Sequence, residues 1–462
     1  MTRTVLLPEP TVRERSNRPP TRAGKSYFIR TFGCQMNEHD SERIAGLFEL
    51  DGMSRTDGYE SADVVYVNTC TIRENADNRM YGNLGQLKAI KDVNPEMLLV
   101  VGGCAAQKDR EMIRQRAPWV DVVMGTHNLD RVLDLIDHAE QWGPITEVVD
   151  ELQAMPSSLP VRRELEHSAW VTIQVGCNNT CTFCIVPSVR GVEVSRRPGD
   201  IVREVERLAA DGVVEVTLLG QNVDTYGRDL AIDGRHRPIF AELLRRVGSV
   251  DGIQRVRFTS PHPNDFREDV ALAMAETPAV CEQLHFPLQS GSDRVLSAMH
   301  RGYHRRKYME RLAMARETIP GLSVSTDIIV GFPGETNEDF DLTMEVVEEA
   351  RFDQAFMFIF SPRPGTAAAN RVDEFVPDAV IQERFKRLVE TQNRISRQLN
   401  DKMVGTRQEV LSEGPSRRNP EVATTRTRGG KVVHVEGLHP SGEFIEVRIE
   451  EAAMHHLVGT PV

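Results

Sequence analysis

The chain has 462 residues, 40% hydrophobic and 27% charged, the make-up of a globular protein of about three domains. A net charge of −12 argues against a general nucleic-acid binder, although a local basic surface can still act at its own site. No run of about eighteen apolar residues occurs, so no transmembrane helix and no membrane partner are expected, and seven cysteines, six of them at organised positions, favour metal ligation in a reducing cytoplasm over disulfides.

In chain order, residues 1–24 are rich in Arg, Pro and Thr and lack an apolar core, so a disordered leader is expected rather than a signal peptide. Residues 25–141 alternate strands and helices, which predicts a doubly wound parallel sheet. Three apolar runs, from Ser26, Asp63 and Met97, lead into Cys34, Cys70 and Cys104. After Cys70, the positions Ile72, Ala76, Met80, Leu84, Leu87 and Ile90 recur at helical spacing. In such sheets the carboxyl ends of the strands share one rim, where ligands bind. Three strands each delivering a cysteine there would bring Cys34, Cys70 and Cys104 together, and Gly33, Gly102 and Gly103 would let a bulky cofactor approach. With gaps of 35 and 33 residues, this set alone does not distinguish an iron–sulfur cluster from zinc. Residues 142–162 are poor in pattern and rich in Pro and Ser, as in an interdomain linker.

Residues 163–398 hold six strand–helix units, with strands centred on 171–175, 215–219, 255–259, 283–286, 323–330 and 355–360. Six consecutive units predict an incomplete parallel barrel with its chemistry at the carboxyl ends of the strands. After the first strand comes Cys177-Asn-Asn-Thr-Cys181-Thr-Phe-Cys184. Three thiolates in eight residues can hold three irons of a 4Fe–4S cluster and leave the fourth iron open. Zinc sites want four ligands, and no His lies near this run. Gln221, Asn222, Gln289, Ser290, Gly331 and Glu335 follow later strands and are candidates to hold a cofactor at the same rim. Cys281 reads as core. Residues 401–462 alternate apolar and polar positions with Gly/Pro turns, a small antiparallel β-barrel. Basic residues cluster at Arg190–Arg197, Arg301–Lys307 and Arg417–Lys431; the last two could meet phosphates.

The Cys-x3-Cys-x2-Cys run with its open iron resembles the radical S-adenosylmethionine (SAM) enzymes, which split SAM reductively to a 5′-deoxyadenosyl radical. The whole order, a three-cysteine domain, this barrel and a small β domain similar to a TRAM domain, resembles the methylthiotransferase family over nearly all the chain after residue 25. That resemblance implies two 4Fe–4S clusters and SAM. Cys177, Cys181 and Cys184 would hold the radical cluster and Cys34, Cys70 and Cys104 an auxiliary one, with no catalytic side chain beyond these ligands. Thr69–Asn75, Leu218–Val223 and Ser361–Thr366 look like the tRNA branch, which adds a methylthio group to C2 of N6-isopentenyladenosine at position 37, beside the anticodon. The runners-up are the branches acting on a ribosomal-protein aspartate and on threonylcarbamoyl-adenosine. The resemblance implies tRNA, a flavodoxin- or ferredoxin-type electron donor and a sulfur source as partners, and a monomer. One segment, Pro415–Thr427, is Thr-rich and lacks the Gly-Arg-Thr turn of relatives. The rival from another class is a non-catalytic iron–sulfur protein that binds RNA or carries electrons; the six barrel units and the missing fourth ligand argue against it.

Overall fold

The computed structural model describes residues 19–71, 74–150, 159–231 and 234–462. The chain folds as two units. The first takes in residues up to Glu164 together with Gln174–Asn179 and Cys184–Arg196; the second comprises Leu165–Ile173, Thr180–Phe183 and Arg197–Val462.

The first unit is built on six parallel strands: β1 (Ser26–Thr31), β2 (Ser54–Arg55), β3 (Val64–Thr69), β4 (Leu98–Gly103), β5 (Val122–Met124) and β6 (Ile145–Glu147). Their spatial order is β2-β1-β3-β4-β5-β6. Every residue of β3 is buried, because helices cover both faces of the sheet. On one face α1 (Gln35–Leu50) and α5 (Val132–Trp142) pack Ile44, Phe48, Leu135 and Ile136 against Val64 and Tyr66. On the other face α2 (Glu74–Val93), α3 (Cys104–Asp109) and α4 (Glu111–Arg116) set Met80, Leu84, Ala105 and Ile113 against Val65 and Val67. This is the expected doubly wound sheet. In this order the chain reverses between β1 and β3, and ligands bind in the crevice at such a switch point.

Two boundaries differ from the sequence reading. Residues 1–18 of the expected leader lie outside the described residues, but Arg22 near its end is buried and paired with Asp51, Asp137 and Glu140. Within the expected linker, β6 pairs in parallel with β5 as the edge of the sheet. A three-residue strand is too short to show periodicity, so the sequence pattern missed it. Residues 151–158 of that linker lie outside the described residues.

In the first unit, β8 (Gln174–Val175) and β9 (Val194–Ser195) form a short antiparallel pair around a one-turn helix, α6 (Val186–Arg190). The second unit contains the barrel strands β7 (Ser168–Thr172), β10 (Glu215–Leu219), β11 (Arg255–Phe258), β12 (Gln283–His285), β13 (Ser323–Val330) and β14 (Gln354–Ile359). They pair in parallel as β7-β10-β11 and β12-β13-β14, and a bridge from Val256 to Val280 joins the halves. Among the described residues β7 and β14 are not paired, so the barrel is open there, as six units predict. Val324, Ile328 and Val330 face the surrounding helices in the main core; the alternate residues of β13, Ser325, Asp327 and Ile329, are half-exposed on the inner face.

The carboxyl-terminal module is a closed barrel of β15 (Arg407–Pro415), β16 (Val422–Thr427), β17 (Val432–Glu436), β18 (Phe444–Ala452) and β19 (Leu457–Pro461). It is fastened to the amino ends of the large barrel's strands. Arg255 donates to the Arg426 carbonyl at 2.8 Å, and Arg257 donates to the carbonyls of Thr427 and Arg428 at 2.9 and 2.7 Å. Arg428 grips Glu282, and Lys431 pairs with Asp353 at 2.7 Å. The small barrel therefore sits away from the carboxyl rim of these strands. This corrects the reading of Arg417–Lys431 as a phosphate-binding cluster. Arg426, paired with Glu413 at 2.7 Å, Arg428 and Lys431 are spent inside the protein, whereas Arg417 and Arg418 stay exposed.

Candidate active site

The switch point of the first unit collects the three dispersed cysteines. Cys34 caps the start of α1 after β1, Cys70 follows β3, and Cys104 opens α3 after β4. A residue the sequence reading missed ties them together. The Asn37 amide oxygen faces the Cys34 thiol at 3.5 Å and the Cys104 thiol at 4.0 Å, and its Nδ2 donates to the Thr69 carbonyl, beside Cys70, at 3.0 Å. Cys70 and Cys104 are buried and Cys34 is half-buried.

The glycines here serve packing rather than access for a cofactor. A Cβ on Gly103 would stand 2.3 Å from Asn68 Oδ1 at a φ of +91°, and one on Gly102 would stand 2.1 Å from the Tyr66 hydroxyl. The close approach that requires glycine is that of the neighbouring strand.

A buried ion pair lies against these thiols. Arg190, at the end of α6, meets Asp40 of α1 at 2.7 Å, each side chain 5% exposed. Burial pushes the Cys104 thiol pKa up, and the guanidinium of Arg190 opposes that rise. Ile185 and Val189 pack directly on Cys104. Since Ile185 adjoins Cys184, the last cysteine of the compact run comes near Cys104 within the first unit. The available signal for Arg190 was an arginine six residues past Cys184, followed by Gly191. Removing one partner of such a buried pair leaves an uncompensated charge. Asp40→Ala is expected to cost roughly 3–5 kcal/mol, read as a lower denaturation midpoint of the metal-free chain, while Asp40→Ala combined with Arg190→Met recovers most of it.

In the compact run each sulfur accepts an N–H. Asn179 N donates to Cys177 Sγ and Val186 N to Cys184 Sγ, both at 3.5 Å, and Arg301 Nη1 donates to Cys181 Sγ at 3.3 Å. Thiolates without imidazole or carboxylate are the donor set of an iron–sulfur cluster. Among the described residues no group of three or more His, Cys, Asp or Glu side chains is placed to hold a metal ion. Arg301 corrects a second basic cluster: it is buried, Arg305 pairs with Glu345, Lys307 donates to Asn264, and Arg306, beside Glu310, is the member most exposed.

The six cofactor candidates share the rim after β10, β12 and β13, but most are already engaged. Asn222 Nδ2 donates to Asp265 at 2.9 Å. The Ser290 hydroxyl lies 3.4 Å from that of Thr343. Glu335 accepts from Gly331 N and pairs with buried Arg384, both at 2.9 Å, so it shapes its own loop. Gln289 bridges backbone to β13 in a left-handed conformation, φ 68°. Gln221 is half-buried beside Asn222. Near them the sequence reading missed Asp224, which burial pushes up to about 8 and which accepts the backbone N–H of His262 at 2.7 Å.

Comparison with known proteins fits this geometry. Residues 26–125 match the uncharacterized protein family UPF0004, residues 171–347 the radical SAM superfamily, and residues 401–462 the TRAM domain. A structure of the radical SAM methyltransferase TsrM from Kitasatospora setae, with tryptophan and a SAM analogue bound, superposes with a TM-score of 0.54 at 14% identity, covering 86% of this chain and 80% of that one. The cobalamin-dependent radical enzyme OxsB superposes at 0.51 and 10% identity, over 83% and 62%. At these identities the likeness is one of fold. The open barrel with its three-cysteine loop is that of a radical SAM enzyme, a class that uses a 4Fe–4S cluster and SAM.

A tRNA-2-methylthio-N(6)-dimethylallyladenosine synthase from Corynebacterium jeikeium is 53% identical over 443 residues, 94% of this chain and 86% of the relative. Those of Rhodococcus jostii and Thermobifida fusca are 51% and 52% identical, over 95% and 94% of this chain and 89% and 88% of theirs. The chain belongs to the tRNA-2-methylthio-N(6)-dimethylallyladenosine synthase family.

Proposed function

We propose that this enzyme adds a methylthio group to C2 of N6-isopentenyladenosine beside the anticodon of tRNA, with a radical cluster on Cys177, Cys181 and Cys184 and an auxiliary cluster on Cys34, Cys70 and Cys104. The single observation that carries the reading is the packing of Ile185, next to Cys184, on Cys104 within the first unit. A hydrogen atom on an aromatic C2 is neither acidic nor easily displaced, so acids and bases are of little use. When bound, the radical cluster and SAM supply a radical that can remove it, and the auxiliary cluster supplies sulfur. The chain's own work is placement. Ile185 and Val189 give the Cys104 thiol an apolar surround. On the inner face of the barrel Phe356 is 43% exposed, with the His285 ring edge-on to it at 5.9 Å. An exposed ring there offers a stacking surface for a base taken out of its stack.

Mass spectrometry of nucleosides from reactions containing purified enzyme tests the substrate. Isopentenylated tRNA should gain the methylthio group, while unmodified tRNA and a ribosomal-protein aspartate should not. Modification of the aspartate alone would overturn the reading. Exposed Arg417 and Arg418 are the free cations left in the terminal module's basic stretch. Replacing both by Ala should weaken tRNA binding and make its salt dependence shallower by about one to two in slope, with iron content unchanged. A flavodoxin- or ferredoxin-type electron donor, a sulfur source, a cytoplasmic location and a monomeric state complete the proposal.

A further inference from the structure

Arg301 is a buried cation facing a sulfur, and among the described residues it has no carboxylate partner of the kind that Arg22, Arg190 and Arg384 have. Arg22 meets three carboxylates, Arg190 meets Asp40, and Arg384 meets Glu335. Around Arg301, among the described residues, the polar contacts are the Cys181 sulfur at 3.3 Å and the Tyr303 hydroxyl at 3.2 Å. Tyr303 Oη lies 2.9 Å from the carbonyls of both Pro287 and Leu288. Its hydrogen goes to those acceptors, and its lone pair is left for Arg301.

The backbone is bent to hold this placement. His300 and Gly302, on either side, take left-handed φ values of 57° and 71°. The preceding segment is tied to the cysteine loop: Thr182 N donates to the Met299 carbonyl at 3.1 Å, and Thr182 Oγ1 donates to the Ala298 carbonyl at 2.8 Å. A buried charge without a counter-charge is costly enough that folds rarely retain one. A cluster on three thiolates carries net negative charge, and gains one unit more on reduction, so it supplies the missing partner.

We propose that Arg301 is a positioning residue that acts as the built-in counter-cation of the cluster at Cys177, Cys181 and Cys184 and raises that cluster's reduction potential. The inference rests on the assignment of those three cysteines as ligands. One electron from a low-potential one-electron donor, dithionite in the test, enters the cluster; no bond to Arg301 forms or breaks and no proton moves. Its charge favours the reduced state, because cluster potential follows local charge and hydrogen bonds to the sulfurs.

The test is an anaerobic redox titration followed by electron paramagnetic resonance, without SAM, on full-length protein. Cys34, Cys70 and Cys104 are replaced by Ala so that one cluster reports. Arg301→Gln should keep iron and sulfide content and lower the reduced-to-oxidised ratio at fixed potential about tenfold, ~59 mV for a one-electron couple. Arg301→Lys should shift it much less. An unchanged midpoint in the Gln variant, or equal shifts in both, overturns the proposal. If the Gln variant fails to take up iron, retention by the Lys variant supports the need for positive charge, and loss from both overturns it. If the parent with Arg301 intact takes up no 4Fe–4S cluster, the ligand assignment itself falls, and the role of Arg301 falls with it.

Discussion

Replacing Cys177, Cys181 and Cys184 by Ala should abolish reductive SAM cleavage while leaving about half the iron of the reconstituted wild type. The remaining iron is expected because the other three thiols follow separate strands of the first unit, and Asn37 links Cys34, Cys104 and the Thr69 carbonyl beside Cys70. Iron and sulfide analysis with absorption spectroscopy measures the first quantity, and 5′-deoxyadenosine release the second. Loss of all iron in this variant, or zinc in the wild type, would contradict two separate clusters.

The complementary substitution should divide the reaction. With Cys34, Cys70 and Cys104 all Ala, SAM cleavage to 5′-deoxyadenosine should persist near the wild-type level, whereas methylthiolated nucleoside should fall below detection. The physical ground is that each sulfur of Cys177, Cys181 and Cys184 takes its hydrogen bond from outside the dispersed set, from Asn179, Arg301 and Val186. On the proposed assignment the radical cluster keeps its three ligands, while the sulfur to be transferred would lose its holder. Methylthiolated product from this variant would refute the role of the first unit.

Much of the architecture was legible because strong local signals carried it. Continuous apolar runs such as Val64–Val67 mark strands covered on both faces, and five of the six barrel strands fall within one residue of their expected positions. The first strand runs earlier, Ser168–Thr172, since Gln174 and Val175 leave it to pair with Val194 and Ser195. That pairing joins residues twenty apart and leaves no periodic trace.

The sequence by itself determined the type of chemistry. Three cysteines at a spacing of four and three name an iron–sulfur donor set wherever the loop lies, because the ligand geometry is encoded within eight residues. It also determined the order of the three modules. Only the tertiary structure decided which charges are available. Arg301, Arg428 and Lys431 look alike in the sequence with Arg417 and Arg418, yet the first is buried against Cys181, the next two fasten the small barrel, and the last pair is free. A charged side chain takes its role from partners tens to hundreds of residues away, as Arg301 does from Cys181 and Arg428 from Glu282. Pairing over such separations depends on how the elements pack, and local pattern does not carry it.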